Sequence, residues 1–182
     1  KVLLLPEKNA DCDKVTEYLF GRGVDYQLIQ DCIAEGIIFE SRPYHNAVFV
    51  GKDESGKPKY AALRSTLGSS FRQDASGSDK RYSFRLLARE PTDKVHLFEA
   101  AIDLLSYATY LKCEGKDYKA ANLLSLSGVY QPQKELSESK IPIALSTYLQ
   151  KNLQIMIIPG LSEPPVRTLG ATIPENESHI FR

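Results

Sequence analysis

The hydrophobic pattern of the chain changes period twice. Between Asp13 and Gly36 apolar residues recur at helical spacing, with Val15, Tyr18 and Leu19 at i, i+3 and i+4, then Leu28, Ile29, Cys32 and Ile33. Asp11 or Asp13 is placed to cap the first helix, which runs to about Gly21. Asp25 is placed to cap the second, and Gly36 to stop it. The short joint "GRGV" makes the pair a helical hairpin, suited to a structural or docking role.

From Asn46 the spacing becomes that of strands. "NAVFVG" and "PKYAALRST" flank a polar turn containing Gly56, which predicts a β-hairpin. A Gly/Ser/Asp-rich loop follows, and "RYSF" reads as another short strand. From Lys94 strands and helices alternate: "VHLFE", then the helix "AAIDLLSYATYLKCEG", then the strand "NLLSLSG". Beyond the polar "QPQKELSESK" the text predicts a helix near Ile143–Lys151 and a strand "LQIMII". Alternation of this kind implies βαβ crossovers and a parallel sheet, hence an α/β fold with an α+β N-terminal part. Pro159, Pro164, Pro165 and Pro174 mark the remaining text as an irregular tail. The expected organisation is residues 1–90 as a helical hairpin plus β-rich domain, 91–158 as a small α/β domain, and 159–182 as the tail.

Composition narrows the function without choosing it. The chain has 182 residues, 42% of them apolar and 25% charged, enough for one domain or two small ones. No stretch approaches the roughly 20 apolar residues that span a bilayer. "KVLLLPEKN" is broken too soon by Pro6 and Glu7 to act as a signal peptide, and the Lys at position 1 points to a processed or shortened chain. Cys12, Cys32 and Cys113 match no metal-ligand spacing and fit a reduced, cytoplasmic protein. Net charge is zero, yet residues 41–90 carry ten Lys or Arg against five Asp or Glu, an excess of five positive charges that points to an anionic partner.

Five stretches occur in an order that resembles Toprim-domain, primase-like proteins of bacterial plasmids and conjugative elements. They are "LPEKNAD", "YHNAVFVGKDESGKPKYAALRSTLG", "GSDKRYSF", "VHLFEAAIDLLS" and "LLSLSG", covering roughly residues 5–128. In that family a small domain of unknown function precedes the Toprim fold, and the order is also similar to the core of bacterial replicative primase. The resemblance implies a small Toprim-like parallel sheet with flanking helices, in which Glu99 is the metal-binding carboxylate, Asp103 lies one helical turn later and Gly128 forms the following turn. It implies Mg²⁺ as cofactor and DNA, single-stranded or primed, as partner. A relaxase, helicase or other replication protein is a further implied partner, and a membrane is not. A basic ridge of Lys80 and Arg81, joined by Arg64 and Arg72, would track the phosphates, with Tyr82 and Phe71 for base stacking. His45 and Asn46 open the hairpin as they do in the family and are expected polar contacts.

The departure from the family is at its third strand, which should end in an Asp-x-Asp pair. Here "LQIMII" runs into "PGLSE", so Pro159 and Leu161 stand where the aspartates should. Mg²⁺ takes oxygen ligands in octahedral geometry, and two-metal catalysis needs several carboxylates. Glu99, even with Asp103, is a thin donor set. The expectation is a sheet incomplete as a metal site, with Mg²⁺ weak or absent. The chain would keep a DNA-handling surface and lose nucleotidyl transfer. An active Mg²⁺-dependent transferase or nuclease, and a pure protein-interaction module, are the alternatives.

Overall fold

A computed structural model describes residues 2–127 and the backbone of the strand Ile155–Ile158. The expected helix near Ile143–Lys151, the Gly128 turn, Pro159 and Leu161, and the tail 159–182 lie outside the described residues.

The helical hairpin forms as α1 (Asp13–Gly21) and α2 (Tyr26–Ala34). Asp25 caps α2 by accepting the Leu28 N–H at 2.8 Å, and Gly36, at φ +64°, takes the left-handed turn that ends it. The start of α1 departs from the expectation. Cys12 holds the cap position with no side-chain bond, while Asp11 only accepts the Asp13 N–H at 3.3 Å. The free first-turn donor, the Val15 N–H, is met instead by Glu40 at 3.1 Å, a carboxylate 25 residues away.

Asp25 also reaches across the fold. Its N–H donates to Thr109 Oγ1 at 2.9 Å, and Lys112 bonds its carboxylate. Burial pushes this carboxyl up, but Lys112 and the Leu28 N–H outweigh burial and hold it below its ordinary value of 3.8. The unfolded chain therefore takes up this proton first on acidification, so the contribution is complete above about pH 4 and fades below it. Asp25→Ala is expected to cost about 1–2 kcal/mol at neutral pH. In urea titrations the gap between wild type and variant should close towards pH 3; a gap constant with pH would refute the assignment.

The first sheet is antiparallel, in the order β1 (Ile38–Glu40), β2 (Ala47–Lys52), β3 (Pro58–Arg64), β4 (Arg72–Asp74). β2 and β3 are the expected hairpin; β1 and β4 have three residues each, too few to show a period. Every residue of β2 from Ala47 to Gly51 is buried, and its alternation serves two cores. Ala47 and Phe49 face the main core with Ile38, whereas Val48 and Val50 pack with Phe39 and Ala61 on the other side.

The second sheet runs β5 (Arg85–Leu86), β7 (Asn122–Ser125), β6 (Val95–Phe98), β8 (Ile155–Ile158). The β6–α3–β7 unit, with α3 at Ala101–Cys113, is the expected crossover, and β6 pairs in parallel with both β7 and β8. β5 is antiparallel to β7, so the sheet is mixed. The expected strand "RYSF" is not one. Lys80–Tyr82 forms a 3-10 turn in which Asp79 accepts the Arg81 N–H at 3.1 Å, and the strand begins only at Arg85. An aspartate bonding the backbone two residues on competes with strand geometry, which is why β-propensity misled here.

The main core draws on both sheets and all three helices. Val15, Leu19, Leu28 and Ile29 of the hairpin meet Phe49, Phe84, Phe98, Leu104, Leu105 and Leu123 in a single cluster. Residues on either side of position 90 are therefore packed together, with Phe49 and Phe84 edge-to-face at 5.5 Å.

Candidate nucleic-acid interface

Strand ends and turns from both sheets enclose a cleft of about 440 Å³. Its floor is apolar, with Phe49, Phe84 and Ile102, and its rim carries charge from three directions. Arg64 ends β3 and Arg72 begins β4, directly opposite each other in register. Lys80 comes from the 3-10 turn, and Glu99 and Ala100 come from the turn between β6 and α3. Four of the residues expected from the sequence thus meet in one place: Arg64, Arg72, Lys80 and Glu99.

The cations of this rim are not equivalent. Lys80 Nζ sits 3.3 Å from Asp74 and donates to the Ser127 carbonyl at 3.4 Å. Arg81 is held by both carboxylate oxygens of Asp79, and Arg81 does not line the cleft. Both expected ridge residues therefore have an acid beside them, Lys80 from β4 and Arg81 from its own turn. Arg64 and Arg72 have no ion-pair partner among the described residues, although like charges directly across a strand pair disfavour the sheet. Such a like-charged pair is relieved by an anion between its members. Phe71, 41% exposed, precedes Arg72 in the chain and does not line the cleft.

Asp74 was not foreseen, because the strand bearing it is so short. The Tyr60 hydroxyl donates to it at 2.7 Å, so a Tyr60–Asp74–Lys80 chain runs from the buried floor to the rim. Burial, reinforced by Asp74 and opposed by a contact with Ser127, keeps the Tyr60 hydroxyl protonated well beyond its ordinary range. The Arg72–Asp74 spacing of two, which puts both on one face of a strand, was the available signal.

The remaining expected residues take other places. Asp103 Oδ2 accepts the Ala100 N–H at 3.2 Å and so closes the first turn of α3. Burial raises its pKa, and Glu99 adds to that, against the Ala100 bond and the charges of Arg22 and Arg64. Asp103 therefore shapes the turn that presents Glu99. Tyr82 is half-buried beneath the guanidiniums of Arg81 and Arg85, each 5.8 Å from the ring centre. His45, at φ +53°, turns Nδ1 onto the buried Glu40, while Asn46 is buried and its carbonyl accepts the Ser41 N–H. Neither lines the cleft.

The acids described at this turn are a thin donor set for Mg²⁺. Among the described residues no three His, Cys, Asp or Glu side chains converge as metal ligands. Glu99 is exposed and shares its cleft with two guanidiniums that have no ion pair among the described residues, and Asp103 Oδ2 accepts from Ala100. Mg²⁺ takes oxygen ligands in octahedral geometry, normally one or two carboxylates with waters and phosphate oxygens, and two-metal chemistry needs several carboxylates. No helix among the described residues is long and apolar enough to cross a membrane.

The fold has counterparts among solved structures. Over 86% of its length the chain superposes on the solved DnaG catalytic core, covering 68% of that chain, with TM-score 0.50 and 11% identity. The fold is similar to that of a primase catalytic core. An Escherichia coli primase catalytic core also superposes, at TM-score 0.48 and 10% identity over 93% of this chain and 68% of that one. Residues 17–90 match the family described as "Protein of unknown function (DUF3991)". The uncharacterized protein pXO2-78 of Bacillus anthracis is 31% identical over 129 residues, 66% of this chain and 36% of that relative. The chain thus spans little more than a third of that curated relative's length. The primase-like fold sets its cleft where the first sheet meets the β6–α3 turn.

Proposed function

We propose that this chain is a DNA-handling, primase-like protein of a mobile element, which holds a nucleic-acid strand across the cleft rim and does not perform nucleotidyl transfer. The primase-like fold and the pXO2 designation of the relative, read as that of a plasmid, support the setting. The observation that carries the reading is the Arg64–Arg72 pair, without an ion pair among the described residues, at the mouth of a cleft with an apolar floor. Phosphates are held by cations on a shared face, and exposed aromatics supply the sequence-tolerant stacking that Phe71 offers.

The test is binding of a labelled single-stranded oligonucleotide over a range of salt. Two to four phosphate contacts give a slope of log K against log salt of about −1.4 to −2.8. Arg64→Gln with Arg72→Gln is expected to weaken binding at least about tenfold and to flatten the slope by about 1.4. Lys80→Ala with Arg81→Ala is expected to do less, since both cations already have acids beside them. Salt-insensitive binding, or binding untouched by the arginine pair, would refute the reading. Template-directed incorporation of nucleotides would refute the loss of transfer.

A further inference from the structure

A metal site and an anion seat make opposite demands on Glu99, and the cleft meets only one of them. Bridging a phosphate through a divalent cation needs carboxylate oxygens that converge on the ion. Among the described residues no three candidate ligands converge at the β6–α3 turn, and Glu99 lies exposed in the same cleft as Arg64 and Arg72. Asp74, the other acid lining the cleft, is engaged by Tyr60 and Lys80. Asp103 is closed onto the Ala100 N–H.

We propose that the cleft takes a nucleic-acid phosphodiester directly on the Arg64 and Arg72 guanidiniums without a divalent cation, and that Glu99 acts there as a repelling charge that holds the affinity down. The inference rests on the reading of the cleft as a nucleic-acid interface. Guanidiniums suit the task because they present paired N–H donors to phosphate oxygens and remain charged at any working pH. A carboxylate in the same cleft weakens a phosphate contact by about fivefold if the two come within about 4 Å in water. Glu99 is thereby a brake on binding, the reverse of a metal ligand, whose loss would abolish it.

The sign of that effect is the test. A labelled single-stranded oligonucleotide is titrated with the full chain in EDTA and, at matched ionic strength, in Mg²⁺ or Mn²⁺. Wild type is expected to bind equally in both buffers. Glu99→Gln is expected to tighten binding by about fivefold in EDTA. Glu99→Asp, which keeps the charge, is expected to leave it near wild type. Glu99 is exposed, so none of these variants threatens the core.

Binding that requires the divalent ion and disappears in Glu99→Gln would overturn the inference and leave the nucleic-acid reading standing. An unchanged affinity in Glu99→Gln would overturn it as well. Affinity retained in the Arg64→Gln, Arg72→Gln double variant, or no binding by any form in either buffer, would remove the underlying reading too.

Discussion

Gly51→Ala is expected to lower the melting temperature by about 6–12 °C and to weaken oligonucleotide binding together with it. A Cβ at Gly51 would lie 1.5 Å from the Tyr82 carbonyl oxygen and 2.7 Å from its carbon. Both are backbone atoms, so no side-chain rotation relieves the clash. The chain must push away the Lys80–Tyr82 turn, which carries one wall of the cleft, or open β2 itself. A cost of about 3 kcal/mol is at the upper end of overpacking. For a chain of this size each kcal/mol lowers the melting temperature by about 2–4 °C. Gly56→Ala is the control. Gly56 has φ +81° with nothing within 4 Å, so it should cost only the left-handed conformation, about 1–2 kcal/mol. Equal melting temperatures for the two variants would show that the turn does not rest on β2.

Glu40→Ala should be the most destabilising change away from the cleft. The Glu40 side chain is fully buried, and it accepts from Asn9 Nδ2 at 2.9 Å, from the Val15 N–H and from His45 Nδ1. One carboxylate therefore joins the N-terminal segment, the start of α1 and the β1–β2 connection. Alanine leaves a void and strands the buried Val15 N–H, which costs about 1–3 kcal/mol when unpaired, and it releases the part-buried Asn9 and His45. A loss of about 3–5 kcal/mol follows, as for breaking a buried charged partner. Glu40→Gln retains the volume and one acceptor oxygen and should fall between Ala and wild type. Denaturant unfolding measures the series, and a loss below about 1 kcal/mol for Glu40→Ala would show that water replaces the carboxylate.

What the sequence disclosed was local. Asp25 with Leu28 three residues on, the Gly56 hairpin and the apolar run before Ala101 are each decided within a few residues, and each forms where the pattern puts it. What it withheld depends on distant pairing. β1 and β4 exist because β2 and β3 offer them partners, not because three residues have a period. The cap of α1 arrives from Glu40, beyond any local motif. The cleft was half legible. Charge counting found Arg64, Arg72, Lys80 and Arg81, but only the register shows that the first two oppose each other without an acid while the last two are paired. Glu99 was found from its place after a strand, and its surroundings change what it can do.

The common core has an evolutionary corollary. The family match ends at residue 90, yet Phe49 and Phe84 before that point are packed in one cluster with Phe98, Leu104 and Leu123 after it. Recombination that moved only the first portion onto another protein would bare a continuous greasy face. A transfer that keeps the core covered has to carry both portions together.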